Sequence, residues 1–328
     1  MRAGAGFISP MLLLRTERLP DDRTRWLYQL KLDGYRCVAF RRGRELALRS
    51  RNDKDFSTRY PAVLKGLAGL PDDTVVDGEL VAFDADGRPS FNALQHQASA
   101  DIAVVLYLFD VMVLAGRDVM GEPLARRRTL LESKVLPRLG EPVRYAAPLD
   151  ADLPVLIESV RTHRLEGLVA KRLDSRYEPG QRSGAWQKMR LNQGQELVIG
   201  GYTPGTSTFD ALILGYYEGD RLLYAARTRS GFTPASRAAI FRQFAGLDIA
   251  TCPFANLPEA TSGRWGQGLT RAKMAQCRWL RPVLVAQVEF LEWTPEHHLR
   301  HSRFVGLRED VRAEEVTRDG RRSGSEHD

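Results

Sequence analysis

Alternation of apolar and polar residues, broken by stretches with helical spacing, organises the first part of this chain. Trp26–Leu32 and Cys37–Arg41 read as strands flanking an Asp33–Gly34 turn. Thr74–Phe83 reads as another strand, and Ala103–Leu114 is apolar enough to be a central one. Leu124–Leu139 and Leu153–Arg164 have helical spacing, and Glu166–Arg172 is a further strand reached through Gly167. After about Leu191 the rhythm shortens. Glu196–Tyr202, Ala211–Glu218 and Arg221–Thr228 read as strands, with a hairpin turn at Tyr217–Asp220. Pro234–Phe244 reads as one helix and Val283–Trp293 as a long alternating strand. Short strands with one inserted helix predict a small β-barrel. Residues beyond about 316 are polar and charged, with Gly and Ser, and are expected to form a flexible tail.

Composition narrows the picture. Hydrophobic residues make up 43% and charged residues 27% of 328 positions, which reads as globular and long enough for two cores. The net charge of +7 favours a polyanionic partner. No apolar run is long enough to span a membrane, and Met11–Leu14 makes a poor signal peptide. Cys37, Cys252 and Cys277 are odd in number and widely spaced, so neither a disulfide framework nor a zinc site is expected. A reducing, cytoplasmic setting fits. Of the 48 cationic residues only seven are lysine. Arginine thus supplies the bulk charge, and each lysine invites a reason that a permanently protonated guanidinium cannot satisfy. An amine that sheds its proton is a nucleophile, and nearby cations favour that loss.

Several short runs, taken in order, share one theme. Lys31-Leu32-Asp33-Gly34-Tyr35-Arg36 has the form Lys-x-Asp-Gly-x-Arg. It is followed by Ser50-Arg51-Asn52, Asp77-Gly78-Glu79-Leu80-Val81 and Leu106-Tyr107-Leu108-Phe109-Asp110. Then come Glu166-Gly167-Leu168-Val169-Ala170-Lys171, Trp186-Gln187-Lys188-Met189-Arg190, and Leu299 through Asp310. Singly, each has a bland reading. Lys31 is a strand-end surface lysine, Phe109 is core, Glu79 is a solvated strand residue, and Lys171 pairs with Asp174. In order and together they resemble the nucleotidyltransferases: ATP-dependent DNA ligases, RNA ligases and mRNA capping enzymes. The runs Glu196–Pro204, Val288–Thr294 and Phe304–Asp310 look most like the ligase module of bacterial end-joining ligases of the ligase D type.

The resemblance implies an α+β fold. An adenylation (nucleotidyltransferase) domain with antiparallel sheets over residues 1–192 would precede an OB-fold β-barrel over 193–315, with a tail over 316–328. It implies Lys31 as nucleophile and ATP as cofactor. Gln29, Arg36, Arg51, Glu79, Phe109, Lys171, Lys188, Arg190 and Arg308 would contact the nucleotide. Within that set Phe109 would stack on the base, Glu79 and Arg36 would meet the ribose, and Lys171 and Lys188 the phosphate. Glu79 and Glu166 would direct Mg²⁺, with Mn²⁺ as an alternative, since hard cations prefer carboxylate oxygen. Arg308 lies in a segment that swings over the nucleotide in the family, about a hinge placed here near Leu191–Gln195.

Three departures stand out. Gln29 replaces a glutamate, keeping a carbonyl acceptor for the adenine amino group. Arg190 replaces a lysine. Val311 stands where the family has lysine, with Arg312 one residue later, which implies a weakened first step. The chain is too short for the polymerase and 3′-phosphoesterase modules that accompany this type, and Lys31 comes too early for a separate N-terminal DNA-binding domain. The expected partners are double-stranded DNA with nicks or ends, a Ku-like end-binding protein and separate polymerase or nuclease modules, around a monomer associated with the bacterial nucleoid. Two rival readings are an RNA ligase or capping-type guanylyltransferase, and a nonenzymatic DNA-end-binding module.

Overall fold

The computed structural model describes residues 5–100, 102–163, 165–191, 194–261 and 268–318. The chain divides into two compact units, Met1–Asn192 and Gln193–Asp328.

The first unit begins with β1 (Leu14–Arg15), β2 (Trp26–Leu30), β3 (Tyr35–Arg42), β4 (Glu45–Ser50), α1 (Pro61–Gly66) and β5 (Thr74–Ala82). It continues through α2 (Phe91–Ala100), β6 (Val104–Leu114), β7 (Arg117–Asp118), α3 (Leu124–Leu130) and β8 (Val143–Tyr145). It closes with α4 (Leu153–Thr162), β9 (Gly167–Arg172) and β10 (Trp186–Arg190). These strands form two sheets, ordered β4-β3-β5-β6-β7, with β8 beside β6, and β1-β10-β9-β2.

The expected hairpin across Asp33–Gly34 is absent. β2 pairs with β9, whereas β3 pairs with β4 and β5, so this turn hands the chain from one sheet to the other. Local contacts explain the crossing. The Lys31 N–H donates to the Gly167 carbonyl at 2.9 Å, and the Asp33 carboxylate accepts from the Phe91 N–H at 3.0 Å, at the start of α2. At Gly34 any Cβ would lie 2.0 Å from the Leu80 carbonyl oxygen, so a larger residue has no room.

Side chains alternate across a strand, so each sheet presents two faces. One face of the larger sheet, with Val38, Phe40, Val75, Phe109 and Val113, meets Leu27 and Trp186 of the smaller sheet in one core. The other face of the smaller sheet, with Tyr28, Leu168, Ala170 and Met189, is covered by Leu153, Leu156 and Val160 of α4. Each such fully buried aliphatic side chain contributes roughly 1.5–3 kcal/mol. The expected helix Leu124–Leu139 is not regular. After α3 it widens into a π turn over Leu131–Val135 and tightens to 3-10 geometry over Leu136–Arg138, where Pro137 lacks an N–H to donate. Arg164, the expected end of the next helix, lies outside the described residues.

The second unit comprises β11 (Gly194–Pro204), β12 (Phe209–Glu218), β13 (Arg221–Thr228), α5 (Pro234–Arg242) and β14 (Asp248–Ile249). These are followed by α6 (Arg271–Met274), β15 (Arg278–Glu289), β16 (Glu292–Trp293), β17 (Leu299–Arg300) and β18 (Arg303–Leu307). The sheet order is β13-β12-β11-β15-β14, with β18 also on β15. The ring back to β13 is completed by a single bridge, Ser230 to Arg303, and by the Thr228–Ser302 hydroxyl pair at 2.6 Å. This is an OB-type arrangement with one seam rather than a fully laddered barrel. A bulge between Ile199 and Gly201 of β11 bends the sheet. The hairpin turn after Glu218 holds, with Gly219 at φ +59°. Thr233 and Ser236 form a reciprocal cap that starts α5.

Two expectations shift here. The strand placed at Val283–Trp293 runs instead from Arg278 to Glu289, and Glu292–Trp293 forms its own hairpin with β17. The tail starts later than 316, because the Val316 carbonyl accepts from the Tyr217 N–H at 2.7 Å and the Thr317 carbonyl from the Gln195 side chain at 3.1 Å. Residues 319–328 lie outside the described residues, as do 192 and 193 of the expected hinge.

Candidate active site

Strand register builds the site. Leu27, Lys171 and Trp186 stand opposite one another across β2, β9 and β10; Gln29, Val169 and Lys188 form the next such row, with Arg15 beyond Lys188. Gly167 faces Arg190 one row further on. A period of two therefore puts Gln29, Lys171, Lys188 and Arg190 on one face, and Lys31 continues it past the end of β2. Leu27 and Trp186 show that this is the face turned toward the larger sheet.

At one end of that face, Lys31 Nζ lies 2.6 Å from Glu166 Oε2, and Arg190 Nε lies 3.0 Å from Glu166 Oε1. The side chains are 15%, 4% and 3% exposed for Lys31, Glu166 and Arg190, so solvent screens the cluster little. One carboxylate thus faces two cations, leaving an excess of positive charge suited to phosphate. Glu166 is fixed by its main chain as well, its carbonyl accepting from the Leu191 N–H at 2.9 Å.

Deeper in the unit, Arg36 grips Asp77 through Nε and Nη2, both at 2.6 Å, and Nη2 also reaches the Met11 carbonyl at 3.2 Å. Asp77 is fully buried. The Arg36 fork is engaged by Asp77 because a carboxylate on the same face, across the β3–β5 ladder, matches it bidentately. Burial opposes the Arg36 charge, but Asp77 overrides it and holds the guanidinium firmly protonated.

Lys171 and Phe109 are in contact. Lys171 is only 3% exposed, and its Nζ sits 3.7 Å from the Phe109 ring centroid and 4.2 Å from that of Trp186. Arg36 lies over the same Phe109 ring at 4.7 Å. Two cationic groups thus lie over the Phe109 ring, and Lys171 is a buried amine. Burial, and then the positive charge of Arg36, pull its pKa down to about 7.

The remaining candidates are placed as follows. Gln29 is buried and its amide nitrogen donates to the Ala146 carbonyl. Glu79 stands between Arg36 and Tyr107 in the larger sheet, and its Cγ lies 3.1 Å from where a Cβ on Gly34 would be, close to the turn that follows Lys31. Arg51 is half-buried in the turn after β4. Arg308, in the second unit, is clasped by Asp310 at 2.9 and 2.7 Å. Val311 packs against the core of that unit while Arg312 is exposed, so the position of the family lysine is taken by apolar packing.

Glu79 and Glu166 are the carboxylates that the sequence suggested for a divalent cation. Among the described residues no three His, Cys, Asp or Glu side chains form a complete metal cage. Mg²⁺ needs only one or two protein carboxylates when substrate phosphates supply the rest, and the chemistry of these two side chains fits that donor set. Sequence reasoning missed Tyr177, Met11 and the buried Asp110–Arg127 pair. Asp77, two residues before Glu79, was legible from strand period alone.

Two family descriptions match the chain: ATP dependent DNA ligase domain over residues 10–190, and ATP dependent DNA ligase C terminal region over residues 205–311. The chain belongs to the ATP-dependent DNA ligase family. It is 35% identical over 320 residues to the multifunctional non-homologous end joining protein LigD of Pseudomonas aeruginosa, covering 95% of this chain and 36% of that protein. The LigD of Mycobacterium tuberculosis is 33% identical over 319 residues, covering 95% of this chain and 40% of that protein. The chain thus spans about two fifths of the length of these relatives. The fold of a mycobacterial DNA ligase D complexed with ATP and MES superposes with a TM-score of 0.68 at 31% identity, covering 95% of this chain and 98% of that one.

Proposed function

We propose that this ligase module seals 5′-phosphate/3′-hydroxyl nicks or breaks in double-stranded DNA during end joining, using ATP and a lysine–AMP intermediate. Residues 1–192 act as the adenylation domain and 193–315 as the OB domain. The carrying observation is the cluster of Lys31 against Glu166 at 2.6 Å, with Arg190 on the same carboxylate.

In the first step Lys31 Nζ, having lost a proton, attacks the α-phosphorus of ATP. A P–N bond forms, the P–O bond to the β-phosphate breaks and pyrophosphate leaves. Glu166, already hydrogen-bonded to Nζ, is the nearest acceptor for that proton. In the second step a 5′-phosphate oxygen of DNA attacks the same phosphorus, the P–N bond breaks and Lys31 is released. In the third, the 3′-hydroxyl attacks the DNA phosphorus, gives up its proton, and AMP departs. Lys188 and Arg190 stabilise the charge that builds on the phosphate oxygens. Bound at Glu79 and Glu166, Mg²⁺ would supply Lewis-acid charge stabilisation. Gln29 recognises adenine, and Arg51 and Arg308 serve the nucleotide phosphates. A Ku-like end-binding protein and separate processing modules are the partners that the family resemblance suggests for such a role.

Labelling with ATP radioactive in the α-phosphate tests this reading. The wild-type chain should acquire label and seal a nicked duplex, and K31A should do neither from free ATP. Label retained on K31A would sink the assignment of Lys31.

A further inference from the structure

Tyr177 belongs to none of the runs that carry the resemblance. It lies in the connection between β9 and β10, 3% exposed. Its hydroxyl donates to Asp77 Oδ2 at 2.5 Å and accepts from the Met11 N–H at 3.0 Å. Both partners are the groups that hold Arg36. Asp77 takes the Arg36 fork, and the Met11 carbonyl takes Arg36 Nη2 at 3.2 Å. Arg36, Asp77, Tyr177 and the Met11 peptide therefore close a ring of hydrogen bonds. The Tyr177 ring is braced edge-on by Trp186, with centroids 5.6 Å apart, and its own N–H is tied to the Met120 carbonyl at 2.8 Å.

We propose that Tyr177 is a positioning residue of the nucleotide site: its hydroxyl locks Asp77 and the Met11 peptide together, and so fixes the Arg36 guanidinium over Phe109 for ATP binding. The proposal rests on the adenylyl-transfer reading above. Three features set Tyr177 apart from an ordinary core tyrosine. Its hydroxyl is donor and acceptor at once, a combination that phenylalanine lacks. Each of its bonds ends on a group that touches Arg36. It also adds no charge to a site that already holds Arg36, Asp77 and Lys171. Burial, and then the charge of Asp77, push its ionisation well above the usual phenol range, so the donor persists at every working pH. Without the hydroxyl, the buried Met11 N–H loses its acceptor and Asp77 loses one of its three donated bonds, which frees the carboxylate to rotate with its arginine.

The test is a double-mutant cycle on enzyme–adenylate formation, following KM for ATP and kcat separately, with thermal melting of every variant. Y177F should raise KM for ATP about tenfold, the size of one or two lost buried hydrogen bonds, with kcat changed less than about threefold. In an R36Q background, Y177F should change KM less than about twofold, because the group it positions is gone. A Y177F enzyme with normal KM, or one whose effect multiplies fully with R36Q, overturns the proposal and leaves a packing tyrosine. D77N reads the same ring from the other side. If Y177F is insoluble, D77N must raise KM and be sub-additive with R36Q, and its failure to do so is equally fatal. Labelling of Lys31 in the wild type separates the two levels of inference. Wild type that cannot be labelled on Lys31 defeats the ligase reading, whereas labelled wild type with an unaltered Y177F defeats only this proposal.

Discussion

The two units hold charge in opposite ways. Among the described residues, the first buries Asp77, Asp110, Arg127, Glu166 and Lys171 inside or beside its cores. In the second, the core of Leu197, Ile213, Leu214, Phe244, Val285 and Phe304 is apolar. Its buried ionisable groups, His298 and Asp310, pair with the more exposed Glu259 and Arg308. Buried ions cost desolvation energy and persist only when paired, and replacing them with apolar residues is often neutral or stabilising. The first unit therefore carries a burden that stability alone does not require. A surface that must orient a polyphosphate needs fixed charges behind it, whereas a β-barrel frame does not.

The widest gap between the units should appear at Asp110. Its carboxylate holds Arg127 through two 2.8 Å bonds, with both side chains fully buried. D110A leaves the guanidinium uncompensated and should destabilise the first unit by about 3–5 kcal/mol, read by calorimetry. A loss below about 1 kcal/mol would mean that this pair is ornamental and that the contrast between the units is false.

Lys171 gives an intermediate effect with a definite pH sign. Its folded pKa lies near 7, below the usual lysine value, so the folded state sheds a proton that the unfolded chain retains. The resulting penalty is full below pH 7 and fades as pH rises toward the unfolded value. Stability of the first unit should rise by about 2 kcal/mol between pH 7 and 9, and K171M should flatten that slope. A slope that survives in K171M would assign the titration elsewhere.

The smallest effect is expected in the second unit. Ile213 is fully buried among apolar neighbours, and I213V should cost about 0.5–1.5 kcal/mol. That cost should not vary between pH 7 and 9. A pH-dependent loss would show that charge is wired into this core too.

Much of the fold was readable from the chain. Arg221–Thr228 forms the strand that its alternation predicted, and the Glu218 turn closes the hairpin expected of it. Lys31, Glu166 and Arg190 were each singled out through the resemblance, but that one carboxylate stands between the two cations was not legible, because it depends on the pairing of β2, β9 and β10. The Asp33–Gly34 turn was not legible either. A two-residue turn between apolar runs looks the same whether the chain folds back on its own sheet or crosses to another, and long-range pairing with β9 decided it. What surrounds Phe109 and Lys171 was not legible for a related reason. Alternation tells which side chains share a face but not what that face meets.

The sequence by itself determined where most of the strands lie, because strand period is local, and its ordered motifs determined the family. Only the tertiary structure decided that Arg36 is caged by Asp77, that Lys171 is buried between two aromatic rings, and that Tyr177 closes the ring behind them. The hydrogen bonds among Met11, Arg36, Asp77 and Tyr177 join residues 25 to 166 positions apart. Whether an ion is solvated or caged depends on what the rest of the chain brings against it.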